Sequence, residues 1–191
     1  GGLWKTNDGG ASWFTTTDDL YSIGVSDIYV NPGNPDQLLI ATGDGDAGDT
    51  YGLGILRSDD GGISWSSTGL TNEVTQRVYF RRIDAHPDRP SVILAVSNRG
   101  IYRTNDYFTT FTKVKNGHFK DLEFKPGDPS TVYATSNDWG NSGVFKSTDT
   151  GASFTNISGT INTSSINRIE LAVTADNPQV VYALCSDDAT N

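Results

Sequence analysis

The stretch SDDGGISW, residues 58–65, decides the fold, because its pattern of hydroxyl, Asp, Gly and aromatic residues recurs along the chain. The other copies are TNDGGASW at 6–13, TNDYFTTF at 104–111 and STDTGASF at 147–154. Glycine supplies the positive φ that a tight turn between two strands requires. The third copy has Phe108 where the others have glycine. We therefore expect four similar turns, with an altered one at the third copy.

A second pattern alternates with the first: a strand-like run, a turn containing Pro, and another strand-like run. Its copies are residues 27–42 (DIYVNPGNPDQLLIAT), 82–97 (RIDAHPDRPSVILAVS), 121–136 (DLEFKPGDPSTVYATS) and 168–186 (RIELAVTADNPQVVYALCS). The runs are rich in β-branched and aromatic residues, and Gly, Pro, Asn and Asp separate them. Each repeat thus holds four short strands, and units of that kind at a period of about 40–50 residues predict an all-β protein, a β-propeller of four-stranded antiparallel blades.

The repeats divide the chain into about four blade equivalents. We place a half blade at 1–19, blades at about 20–69, 70–114 and 115–158, and another half blade at 159–191. The two halves are complementary, so a closed four-bladed disc is one arrangement. The alternative, which we favour because the chain has no initiator Met, is an arc of a larger propeller whose remainder lies in a longer parent chain.

The first pattern resembles the Asp-box, or BNR repeat, of sialidases, sortilin-type (VPS10) receptors and related propellers. The order of the repeats is also similar to BNR proteins that Bacteroidetes secrete by type IX secretion. This resemblance implies that the Asp-box carboxylates hold turns rather than catalyse, and that the aromatic residues pack inside the blades. The carboxylates are those of Asp8, Asp60, Asp106 and Asp149, and the aromatic residues are Trp13, Trp65, Phe111 and Phe154. It also implies a secreted or cell-surface protein.

The amino-acid composition argues against some classes of binding partner. The chain has 14 Lys and Arg against 23 Asp and Glu, a net charge of −9, which argues against nucleic acid or an anionic membrane surface as partner. No apolar run reaches the length of a membrane span. Of the acidic residues, 20 are Asp, which favours turns over helices. The single Cys185 lies in an apolar run, so we expect it to be buried.

The second-to-third and fourth-to-first strand loops of a propeller share one face, where function is expected. The longest, residues 43–53, carries Asp44, Asp46, Asp49 and Tyr51 among glycines. Closely spaced Asp side chains on a Gly-rich turn are typical of Ca²⁺ ligands, so the three aspartates are a candidate Ca²⁺ site. The alternatives are a solvated loop, or acids that contact sugar hydroxyls or form an acid/base pair.

Other loops on this face add candidates. Asp138 and Trp139 lie in a polar loop, and an exposed Trp there would stack on a sugar or anchor a protein partner, unless it folds back over its blade. His118 is a candidate general base, although a solvated loop histidine is the favoured interpretation. Further polar residues of these loops are Asp18, Asp19, Tyr21, Gln76, Arg77, Tyr79, Lys115 and Lys120.

Three functions remain open. The favoured one is a binding or adhesion module for a glycan or protein ligand. The alternatives are a glycoside hydrolase with two carboxylates facing each other across a cleft, and a sortilin-like peptide receptor or assembly factor. A sialidase is disfavoured, because the run nearest to its Phe/Tyr-Arg-Ile-Pro motif, residues 80–84 (FRRID), lacks the proline.

Overall fold

The computed structural model describes residues 2–21, 24–46, 49–137 and 142–187. They form sixteen strands and one short 3₁₀ turn, Val74–Gln76. The strands are β1 Trp4–Lys5, β2 Phe14–Thr15, β3 Val25–Val30, β4 Leu38–Thr42, β5 Gly54–Ser58, β6 Ser66–Thr71, β7 Phe80–Ala85, β8 Ile93–Ser97, β9 Gly100–Thr104, β10 Thr112–Asn116, β11 Phe119–Phe124, β12 Val132–Ser136, β13 Gly143–Ser147, β14 Thr155–Asn156, β15 Ile166–Val173 and β16 Val181–Asp187. Within those ranges, no helix has the length and apolar character needed to cross a membrane.

The strands pair as antiparallel meanders. Strands β3–β6, β7–β10 and β11–β14 form three four-stranded sheets, each in chain order, as the sequence predicts. Strands β1–β2 and β15–β16 form two-stranded sheets at the ends of the described chain. These two pairs belong to separate sheets, so the described strands form an open arc and not a closed four-bladed disc.

Apolar side chains fill the spaces between consecutive sheets. One core joins β3–β6 to β7–β10 and includes Leu39, Phe80 and Phe108. The next joins β7–β10 to β11–β14 around Leu94 and Phe119. A smaller core seats β15 on the third sheet. The central strands are buried on both faces, which explains their unbroken apolar runs.

Each Asp turn, our name for residues 6–13, 58–65, 104–111 and 147–154, is organised by its aspartate. In the second, Ser58 Oγ donates to Asp60 Oδ1 at 2.7 Å, and the same oxygen accepts the N–H of Ser64 at 2.9 Å. Equivalent bonds recur in the other three. The hydroxyl and N–H of Ser64 hold the pKa of Asp60 well below its usual value. The carboxylates are thus engaged as hydrogen-bond acceptors inside their own turns.

The expectation of an altered third turn is wrong. Asp106 accepts the N–H of Thr110 at 2.8 Å, and the N–H of Phe108 donates to Thr104 Oγ1 at 3.0 Å, as in the glycine-containing copies. Tyr107 and Phe108 adopt φ of 55° and 62°, so the turn keeps its shape with two side chains in the left-handed region. The fully buried Phe108 ring packs in the core between the first two complete sheets.

Two further expectations about burial are wrong. Trp13 and Phe111 are 56% and 41% exposed, whereas Trp65 and Phe154 are partly buried. Trp13 lies in the turn between β1 and β2, whose sheet supplies only two strands to pack against. Cys185 is exposed, because no described strand pairs with the outer edge of β16.

Candidate functional site

The first strand of each sheet lines the inner side of the arc. Strands β3, β7, β11 and β15 pack against one another in that order. Near its start, each has an extra residue that interrupts the pairing register: Ser26, Arg81, Lys120 and Asn167. Such a β-bulge re-aims a side chain away from the alternating pattern. The repeat therefore places one re-aimed residue per sheet at the same end of the inner strands.

A cleft of about 530 Å³ lies at that end. It is on the face where the sequence placed the functional loops, since the loop after β4 and the starts of the inner strands line it. Its charged lining residues are Arg81, Arg82, Lys120, Arg168, Asp44, Asp46, Asp121 and Glu170. A volume in this range is typical of a small-molecule site.

The long loop reaches over this cleft and is held there by two cations. Asp46 Oδ1 accepts from Lys120 Nζ at 3.2 Å and from Arg168 Nη1 at 2.9 Å. Lys120 Nζ also donates to the carbonyl of Gly45 at 2.9 Å. The hydrogen bond and charge of Lys120, with the charge of Arg168, lower the pKa of Asp46. Asp46 is therefore a carboxylate acceptor in this structure.

Arg81 is buried with neutral partners. Its Nη1 donates to Asn137 Oδ1 at 3.0 Å, its Nη2 donates to the Tyr79 hydroxyl at 3.3 Å, and its guanidinium lies over the Tyr79 ring. Among the described residues, its buried Nε has no hydrogen-bond partner, and no carboxylate forms an ion pair with Arg81. Burial lowers the pKa of Arg81.

The acids deeper along the inner strands are engaged with the backbone or with Arg82. Asp121 accepts the N–H of Leu122 at 2.9 Å and that of Leu171, on the next inner strand, at 2.7 Å. Glu123 pairs with Arg82 at 2.6 Å, and burial raises the pKa of Glu123 to about 7. Nearer the mouth, Arg168 Nε pairs with Glu170 at 3.0 Å.

The predicted Ca²⁺ ligands do not converge. Asp44 Oδ1 accepts the N–H of Asp46 at 2.8 Å, Asp46 faces the two cations, and Asp49 accepts from the Thr50 hydroxyl. Across the part of the chain that is described, no three acidic, His or Cys side chains lie close enough to hold a metal ion. In this arrangement Asp46 faces Lys120 and Arg168, and the Ca²⁺ site stays a prediction.

The remaining candidates fall in different places. Tyr51 is half-buried in the same loop, whereas Asp138 and Trp139 lie outside the described residues. His118 is not a solvated loop histidine: it is half-buried, with Nε2 3.0 Å from the Tyr79 hydroxyl. The sequence pattern predicts Lys120 as a polar loop residue but does not indicate Arg81 or Arg168 as cleft residues. The signal that could have found Arg81 is its position in the repeat. Arg81 and Lys120 each stand immediately before a copy of the second pattern, which begins at residue 82 or 121.

Comparison with known proteins agrees with this architecture. No protein-family model matches the chain. Over 147 residues it is 29% identical to a xyloglucanase from Paenibacillus sp., a match that covers 71% of this chain and 14% of that protein. The chain thus spans only a small part of its curated relative.

Solved structures show the fold. An ancestral GH74 enzyme superposes with a TM-score of 0.79 at 21% identity, covering 97% of this chain and 25% of that one. The GH74 enzyme of Niastella koreensis gives 0.67 at 20% identity, covering 93% and 29%. At these identities the likeness establishes the fold alone, and the predicted partial β-propeller of about four blades is confirmed.

Proposed function

We propose that this chain is a polysaccharide-binding arc of a larger propeller protein of the xyloglucanase type, in which the inner cleft supplies sugar subsites. The observation that carries the proposal is the similarity to the Paenibacillus xyloglucanase, which extends over 71% of the chain. The cleft supports it, because charged and hydroxyl-bearing groups of several inner strands converge there. A secreted location and a parent chain that completes the propeller belong to the same proposal.

The lining acids favour binding over chemistry within this cleft. A general acid for glycoside cleavage needs a raised pKa, whereas the pKa of Asp46 is lowered by Lys120 and Arg168. Asp121 is occupied by two backbone N–H groups, and Glu170 by Arg168. Asp46 and Glu170, whose side chains are 75% and 32% exposed, can still accept hydrogen bonds from sugar hydroxyls.

The experiment is a titration of the full-length protein with xyloglucan oligosaccharides by calorimetry. We expect Glu170→Ala to weaken binding about tenfold, the loss of one or two hydrogen bonds to a charged acceptor. Asp176→Ala, in an exposed turn at the opposite end of the inner strand, is the matched control and should not change the affinity. An absence of binding, or equal loss in both variants, would refute the proposal.

Hydrolysis by the full-length protein is the second candidate, favoured because the curated relative is a xyloglucanase. Release of reducing ends from xyloglucan tests it directly. If Asp46→Asn and Glu170→Gln retain cleavage while wild type cleaves, neither residue is a catalytic carboxylate. The non-carbohydrate interpretation, a peptide receptor or assembly factor, stays a prediction.

A further inference from the structure

The inner cleft gathers positive charge in a chain whose net charge is −9. Arg81, Lys120 and Arg168 come from three successive inner strands and line the same mouth. Arg82, the fourth cation, is already paired with Asp121 and Glu123. The three remaining cations share only two direct carboxylate partners among the described residues, Asp46 and Glu170.

Burial makes this imbalance costly. The side chain of Lys120 is only 9% exposed, and Arg81 is 8% exposed. A buried cation without a carboxylate is unfavourable, because protein dipoles replace its hydration incompletely. Burial and the charge of Arg81 both lower the pKa of Lys120, so each cation destabilises the other. The pair would be relieved by an anion at the cleft mouth.

The Asp46 side chain shows how a carboxylate binds Lys120 and Arg168 at the cleft mouth. It is 75% exposed, reaches in from a Gly-rich loop rather than from the sheet, and places one oxygen within 3.2 Å of both Lys120 and Arg168. It does not reach Arg81, whose Nε remains unpartnered. Displacing Asp46 would leave Lys120 and Arg168 free to contact a ligand in the cleft that Arg81 also lines.

We propose that Arg81, Lys120 and Arg168 bind the carboxylate of a uronic-acid unit in a glycan, and that the Asp46 side chain occupies this position when no glycan is bound. The inference rests on the proposed function for the sugar part of the ligand. A carboxylate is favoured because a neutral sugar that displaced Asp46 would leave the buried Lys120 and Arg81 without a carboxylate partner among the described residues. Guanidinium groups suit it, since they form charge-assisted hydrogen bonds with carboxylates.

The test is calorimetry on the full-length protein with trigalacturonate as the acidic probe and a xyloglucan oligosaccharide as the neutral one. Wild type should bind trigalacturonate. Arg168→Gln should weaken that binding about tenfold, as expected for one charge-assisted hydrogen bond. Asp46→Asn should strengthen it, since the internal competitor loses its charge. Arg57→Gln, which removes a partly exposed guanidinium paired with Asp59 outside the cleft, is the control and should leave binding unchanged.

The outcomes separate the two proposals. Binding of the neutral probe without trigalacturonate would overturn this inference and leave the proposed function standing. Binding of trigalacturonate alone, with the opposite responses of Asp46→Asn and Arg168→Gln, would support the carboxylate site and refute a xyloglucan ligand. Weaker trigalacturonate binding in Asp46→Asn would mean that Asp46 organises the cleft and does not compete for it, which also overturns the inference.

Discussion

At the scale of single residues, Phe108 in the third Asp turn combines favourable side-chain packing with an unfavourable backbone conformation. Phe108 has φ of 62°, a region that costs an L-residue about 1–2 kcal/mol. Its ring, however, is completely buried in the core between two sheets, and burial of a Phe contributes about 3–5 kcal/mol by truncation. The packing energy exceeds the backbone cost, so the turn tolerates Phe where its counterparts have glycine.

This balance predicts opposite effects on stability when glycine replaces each of two residues with positive φ, Phe108 and Thr150. Phe108→Gly should lower the free energy of unfolding by about 2–4 kcal/mol, because the lost packing outweighs the relieved backbone. Thr150→Gly removes a β-branched residue at φ of 58° whose side chain is only half-buried. It should leave stability unchanged or raise it by up to about 1 kcal/mol. Urea unfolding measures both, and equal destabilisation of the two variants would contradict the argument.

At the scale of elements, buried and partly buried carboxylates connect consecutive inner strands. Asp27 on β3 accepts the N–H of Ile83 on β7 at 2.8 Å, and Asp84 on β7 accepts that of Phe124 on β11 at 3.1 Å. Asp121 on β11 accepts that of Leu171 on β15 at 2.7 Å. Neighbouring sheets of the arc are thus connected by hydrogen bonds as well as by apolar packing.

We expect Asp121→Ala to lower the free energy of unfolding by at least about 2 kcal/mol, because it leaves two backbone N–H groups without their acceptor. The control is Asp59→Ala, which removes an exposed partner of Arg57 and should cost less than about 1 kcal/mol. Urea denaturation compares them, and a similar small loss in both would show that the inter-strand bonds contribute little.

The same strands predict a pH dependence. Burial raises the pKa of Glu123 from 4.5 to about 7, so between these values the folded state binds more protons than the unfolded state. The free energy of unfolding should therefore fall as the pH rises through this window. Glu123 is only half-buried, and after allowance for solvent screening we expect about 1 kcal/mol. Glu123→Gln, which keeps a hydrogen-bond acceptor for Arg82, should flatten this part of the profile. Parallel profiles for the two proteins would contradict the prediction.

At the scale of the whole molecule, the described arc presents an exposed strand edge. β16 carries Tyr182 and Leu184, which are 63% and 74% exposed, and no other described strand pairs with its outer side. An apolar strand with unpaired backbone groups is a template for association with another chain.

The isolated 191-residue chain should therefore self-associate as its concentration rises. The double variant Tyr182→Lys, Leu184→Lys should shift it toward the monomer, because charge on an edge strand opposes pairing. Ile63→Lys changes an equally exposed apolar residue that lies in a turn, and it should have no such effect. Light scattering after gel filtration gives the masses, and a monomeric wild type would show that this edge does not drive association.

Much of the architecture followed from the sequence, because it depends on local patterns. The Asp turns, the proline turns and the short β-branched runs specify four strands per repeat, and the structure pairs them in that order. The face that carries the cleft followed as well, since loop position in a meander depends only on strand order. The exposure of Trp13, Phe111 and Cys185 did not follow from the sequence, because it depends on which strands lie beside these residues in space.

The cleft chemistry was decided by tertiary structure alone. Asp46 and Arg168 are 122 residues apart, and only the curvature of the arc brings them within 2.9 Å. The same curvature brings Lys120 and Arg168 to Asp46, in the loop whose sequence pattern predicts a Ca²⁺ site. A sequence determines its turns and strands through interactions between neighbours along the chain, but charges from separate repeats meet only after the sheets have packed.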